Sequence, residues 1–119
     1  MTSHIVAVAV DCPPAQVNAL SGFWCAALGY RVHRTWQDSR GLTYTELSGA
    51  GPMLLLQPVE DPKTTKNRLH LDIAAERDQD AEVERLVGLG ARRVGGDEGL
   101  PWVVLADPAD NEFCVLPPR

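Results

Sequence analysis

No stretch of this 119-residue chain approaches the ~20 consecutive apolar residues that a membrane-spanning helix needs. The start, Met1-Thr2-Ser3-His4, lacks the basic residues and the apolar segment of a secretory signal, so none is expected. Positive charge is in deficit: 11 Lys and Arg stand against 16 Asp and Glu, a net charge of -5. That removes the electrostatic case for nucleic acid or an anionic membrane as a partner. The three cysteines, Cys12, Cys25 and Cys114, are odd in number and have no CxxC spacing, which fits reduced thiols in a cytoplasmic protein. Aromatic residues are only 6%, but three of the seven are Trp. The remaining balance, 45% hydrophobic and 23% charged, is that of one compact soluble domain.

What the chain does have is a repeat. His4 to Asp11 alternates, then a helical pattern runs to Ala27-Leu28-Gly29-Tyr30. His70 to Arg77 alternates in the same way, then a helical pattern runs to Gly88-Leu89-Gly90-Ala91. Each copy closes on an apolar strand ending in Pro, Met53 to Pro58 and Phe113 to Pro117. A self-similar order of this length sets the whole fold. It predicts two tandem βαβββ modules: module one over about 1–60, a polar linker over about 60–67, and module two over about 68–119.

In chain order, residues 4–10 are expected as a strand and Val17, Leu20, Trp24, Ala27 and Leu28 as the apolar stripe of a helix. Gly29 suits a left-handed helix cap. Strands are expected over 30–36, 42–48 and 53–57, joined by turn-rich Gln37–Gly41 and Gly49–Pro52. Arg68 to Ala75 alternates Leu69, Leu71 and Ile73 with Arg68, His70 and Asp72, the period of a half-buried strand. Asp78 or Asp80 is placed to cap a second helix that ends at Gly90. A short strand over 92–94, a flexible Gly95–Gly99 loop and strands over 100–106 and 112–116 complete the copy. Lys63, Lys66 and Arg68 form a small basic island in an acidic protein, suited to an anion-facing loop beside His70.

The turn Asp107-Pro108-Ala109-Asp110-Asn111-Glu112-Phe113 resembles the Asp-Pro-x-Gly-Asn-x-Phe signature of the vicinal oxygen chelate superfamily. That superfamily includes glyoxalases, bleomycin-resistance proteins and extradiol dioxygenases. His4 with Asp11, Phe23-Trp24 before Leu28-Gly29-Tyr30, and His70-Leu71-Asp72 strengthen the likeness, which is greatest to the glyoxalase-like domain branch. Asp110 stands where Gly is usual, and Asp tolerates a left-handed backbone. The resemblance implies an α+β fold whose two modules form an incomplete, cup-shaped, eight-stranded barrel with the helices outside. It also implies a small-molecule site, and relatives of this kind are commonly homodimers.

In enzymes of the superfamily four side chains, from the first and last strand of each module, meet one divalent metal: Zn, Ni, Fe or Mn. The leading positions are matched by His4 and His70. The closing positions are Cys114 and Leu55, which depart from the carboxylates expected there. Metal candidates are therefore His4, His70, Glu112 and Cys114, and little bound metal is expected, with Zn the ion best suited to override this. Candidates for acid–base work are His70, Asp72 and Glu112. Candidate ligand contacts are Trp36, Gln57, Arg68, His70, Asp72, Trp102 and Cys114. Two functions stay open: a protein that binds or sequesters a small, possibly anionic molecule, or a metal-dependent lyase, isomerase or dioxygenase-like enzyme acting on a small oxygenated metabolite.

Overall fold

The computed structural model describes residues 1–95 and 99–119. It divides the chain into two compact units, Met1–Pro62 and Lys63–Arg119. Each is a βαβββ module. Unit one runs β1 (Val8–Cys12), a 3-10 turn (Pro14–Gln16), α1 (Val17–Leu28), β2 (Arg31–Gln37), β3 (Thr43–Ser48) and β4 (Leu54–Pro58). Unit two runs β5 (Asp72–Ala74), α2 (Gln79–Leu89), β6 (Arg92–Arg93), β7 (Val103–Ala106) and β8 (Glu112–Leu116). The strand orders are β1-β4-β3-β2 and β5-β8-β7-β6, so the same topology is drawn twice. In both, the first strand pairs parallel to the last and the other pairs are antiparallel. The fold is α+β, as the repeat predicts.

Helical periodicity locates α1. Val17, Leu20, Phe23, Trp24 and Ala27 are buried, and the helix lies on β3 and β4. Those strands turn Leu47, Leu54 and Leu56 to it. Phe23 and Trp24 meet edge to face at 5.0 Å. Trp24 is thus a core residue. Gly29 caps α1 with φ 67°, its N–H bonded to Cys25 O. The start of α1 has no side-chain cap; the Pro14–Gln16 turn leads in instead. In unit two, Asp78 caps α2 by accepting from Ala81 N at 3.1 Å. Val83 and Leu86 of α2, with Leu105, Phe113 and Val115 of β7 and β8, are buried as the second core.

The turn before β8 has the form its sequence foretold. Asp110 is left-handed at φ 67°. Asp107 accepts from Ala109 N and Asn111 N at 2.9 and 3.0 Å, closing the loop from inside. The alternation of β4 holds, with Leu54 and Leu56 buried and Leu55 and Gln57 half-buried; in β8 Phe113, Cys114 and Val115 are all buried between half-buried Glu112 and Leu116.

Two strand starts differ from expectation. β1 begins at Val8 rather than residue 4, and β5 at Asp72 rather than Arg68. A strand extends only as far as its partner supplies hydrogen bonds. The β1 ladder starts where Val8 N meets Met53 O, and the β5 ladder where Cys114 N meets Leu71 O. Leu69, expected on an apolar face, is 91% exposed for that reason. The short strand at 92–94 is confined to Arg92–Arg93, and the 100–106 strand to its last four residues. Of the expected Gly95–Gly99 loop, residues 96–98 lie outside the described residues. No described helix is long and apolar enough to cross a membrane.

Candidate functional site in module two

β5 and β8 lie side by side, and their register sets Asp72 directly beside Cys114. Neighbouring strands are ~4.8 Å apart, so paired residues put their side chains on the same face, close together. His70, two residues before Asp72, joins them. Its Nδ1 lies 3.0 Å from Asp72 Oδ1 and 3.9 Å from Cys114 Sγ. Donor atoms of all three residues lie within 4.8 Å of one another. The side chains of His70 and Asp72 are 36% and 48% exposed, whereas Cys114 is 7% exposed. Burial pushes the Cys114 thiol up from its ordinary value, the Asp72 carboxylate pushes it further, and Lys66 pulls weakly the other way.

The segment before β5 holds an open pocket of about 580 Å³ lined by Thr65, Lys66, Asn67, Arg68 and His70. Irregular backbone is kept in place there by Glu112. Its carboxylate accepts from Asn67 N at 3.0 Å and pairs with Lys63 Nζ at 3.0 Å, while Glu112 N donates to Asn67 Oδ1 at 3.3 Å. Burial pushes the Glu112 carboxyl up, but the Asn67 N–H and Lys63 outweigh it and hold it below the usual carboxylate range. Glu112 is therefore occupied as a brace, bonded to Asn67 and paired with Lys63. Lys63 is spent on the same pair. Of the basic island, Lys66 and Arg68 remain without a carboxylate partner among the described residues, and both line the pocket. Arg68 does not pair with Asp72; His70 does.

In module one, Trp36 lies on the face of the sheet away from α1. It stacks on Tyr44 at 5.2 Å with an interplanar angle of 11°, and the Arg34 guanidinium lies 4.8 Å from its ring centre. Arg34 also pairs with Glu46. Gln57 is half-buried on β4, one strand over from Tyr44. Trp102 is an exposed residue just before β7. His4 is exposed and precedes β1.

The ladders also correct the alignment of the repeat. Val8 to Cys12 runs against Leu54 to Pro58 as Leu71 to Ala75 runs against Phe113 to Pro117. This makes Ala7 the counterpart of His70, Ala9 of Asp72 and Leu55 of Cys114. His4 instead corresponds to Asn67. Thr65 and Asn67 also line the pocket, and the sequence reading did not name them as candidates.

With this geometry in hand, the chain belongs to the glyoxalase-like domain family, whose model matches residues 7–116. Among solved structures it is similar to a genomically encoded fosfomycin resistance protein, FosX, from Listeria monocytogenes, complexed with Mn(II) and 1S,2S-dihydroxypropylphosphonic acid. The identity is 16% and the TM-score 0.75, with 100% of this chain and 95% of that one covered. It is equally similar to a glyoxalase/bleomycin resistance protein/dioxygenase family enzyme from Burkholderia phytofirmans, at 16% identity and TM-score 0.75, covering 97% and 98%. The trypanothione-dependent glyoxalase I of Leishmania major matches at 16% and 0.68, covering 98% and 87%. These likenesses establish the fold, and with the family match they place the chain in the vicinal oxygen chelate superfamily. No curated protein matches the sequence.

The residues present do not fit the four-ligand metal centre of that superfamily's enzymes. By register the module-one counterparts of His70 and Cys114 are Ala7 and Leu55, which carry no donor atom. Every His, Cys or carboxylate donor grouped closely enough for an ion, among the described residues, lies in module two.

Proposed function

We propose that this protein binds a small, oxygenated anion, of the carboxylate or phosphonate class, in the module-two pocket beside His70. The observation that carries this is the pairing of a 580 Å³ pocket with two cations, Lys66 and Arg68, that no carboxylate neutralises among the described residues. In a protein of net charge -5 this is a locally reversed potential, and it favours an anion. Arg68 supplies a planar fork for two oxygens and Lys66 a point charge. FosX, which shares the fold, is seen complexed with Mn(II) and a phosphonic acid, and with Mn(II) and a sulfate ion. A cytoplasmic, homodimeric binding protein remains the setting expected from the sequence.

Isothermal titration with short carboxylates and phosphonates tests this directly. Binding is expected to weaken at least ~5-fold in Lys66→Ala and in Arg68→Ala, and to weaken further with added salt as exposed charges are screened. An affinity that neither substitution changes, or no binding across the panel, overturns the proposal. The second reading, a metal-dependent lyase, isomerase or dioxygenase-like enzyme, is favoured by one observation, the gathering of His70, Asp72 and Cys114.

A further inference from the structure

We propose that Asn67 is the specificity-determining residue of the module-two pocket, selecting tetrahedral heads with three oxygens over planar carboxylates. The inference rests on the anion reading and narrows it to one ligand geometry.

The side-chain amide of Asn67 is oriented by β8. Glu112 N donates to Asn67 Oδ1 at 3.3 Å. A backbone N–H can only donate, so the end of the amide that faces β8 is its oxygen. The amide is planar and rigid, and fixing the oxygen there turns the NH2 away from β8. In return Asn67 N donates to Glu112 Oε2 at 3.0 Å, so the residue is clamped by one bond in each direction. Asn67 is half-buried, whereas the other lining residues, Thr65, Lys66, Arg68 and His70, are exposed. Its NH2 donates to nothing among the described residues. The pocket wall thus holds one fixed neutral donor between two longer cationic side chains.

The donor set then selects the shape of the ligand. The Arg68 guanidinium is a planar fork that matches two oxygens of one head. Lys66 gives one proton to Asn67 O at 3.3 Å and keeps two, a point charge that serves either shape. A carboxylate has only two oxygens, and both lie in the plane of the fork. A sulfonate, phosphonate or phosphate monoester has a third oxygen outside that plane, and the Asn67 NH2 is the oriented donor left for it. A hydrogen bond to a charged acceptor is among the stronger kinds, enough for about a tenfold preference.

The test uses two anions of equal charge, acetate with two oxygens and methanesulfonate with three. Each is titrated into the isotope-labelled full chain and followed by nuclear magnetic resonance. Methanesulfonate should move the Asn67 side-chain NH2 protons downfield, and acetate should leave them nearly in place. In Asn67→Ala the affinity for methanesulfonate should fall about tenfold and that for acetate less than about twofold. Asn67→Asp is the second variant, because it keeps an oxygen for the Glu112 N–H but has no NH2. Its added negative charge weakens both monoanions alike, so the ratio of the two affinities should again fall about tenfold. Equal losses for both anions in Asn67→Ala, which a merely loosened segment would give, or an unchanged ratio in Asn67→Asp, overturns the role of Asn67. If Lys66→Ala still weakens both anions in that event, the pocket reading stands without it. Failure of either anion to bind the parent chain removes both.

Discussion

Asp38 holds the turn between β2 and β3 with one carboxylate. It accepts from Arg40 N at 2.8 Å, Leu42 N at 3.1 Å, the Arg40 guanidinium at 2.9 Å and the Tyr44 hydroxyl at 3.3 Å. Partial desolvation raises its pKa, but Arg40 and the Leu42 N–H more than reverse this, so the carboxyl is held below its ordinary value. A carboxyl lowered on folding adds stability that is complete above its unfolded pKa of about 3.9 and is lost as pH falls through the lower folded value. Asp38→Asn should therefore melt below the parent at neutral pH, and the difference in Tm should shrink to nothing in strong acid. A constant difference across pH would contradict this account. Nearby, the Tyr30 ring lies over Gly49, its hydroxyl donating to Pro52 O at 2.8 Å. A Cβ on Gly49 would overlap that ring. Gly49→Ala is expected to cost about 1–2 kcal/mol in urea unfolding, and much of the loss should disappear in the Tyr30→Ala background.

The helices and strand faces were legible because each depends on local spacing. Val17, Leu20, Trp24 and Ala27 repeat at helical period, and Phe113 with Val115 alternates with Glu112 and Cys114. Strand starts were not legible, because they depend on where a distant partner stops. Leu69 has the right residue type and parity for a core, yet no partner strand reaches it. The same limit left His70, Asp72 and Cys114 as candidates named separately rather than as one cluster. Asp72 and Cys114 become neighbours only through the β5–β8 register, which no local pattern encodes. The role of Glu112 was hidden too, since its brace replaces ladder bonds with side-chain ones before β5. That brace is testable by hydrogen exchange. Glu112→Ala removes a charged acceptor from Asn67 N–H, and the amide of Asn67 should exchange about tenfold faster, the equivalent of ~1.4 kcal/mol. An unchanged rate would mean that the segment is held by something else.

Two copies of one topology carry unequal chemistry. Module one keeps the strand order but has Ala7, Ala9 and Leu55 where module two has His70, Asp72 and Cys114. The sheets also differ at their rims. β2 is a seven-residue edge strand, exposed along most of its length, whereas its counterpart β6 has two residues. A long open edge invites pairing with another chain, and Val32, Thr35 and Trp36 are strand-forming types. Arg31 and the irregularity between Val32 and Arg34 oppose this, while Arg34 is paired with Glu46. The guard is thus in part electrostatic repulsion between like edges, and that part fades as ions screen it. Colloidal behaviour follows: concentrated solutions should scatter more light as salt rises, and Arg31→Ser should move that onset to lower salt.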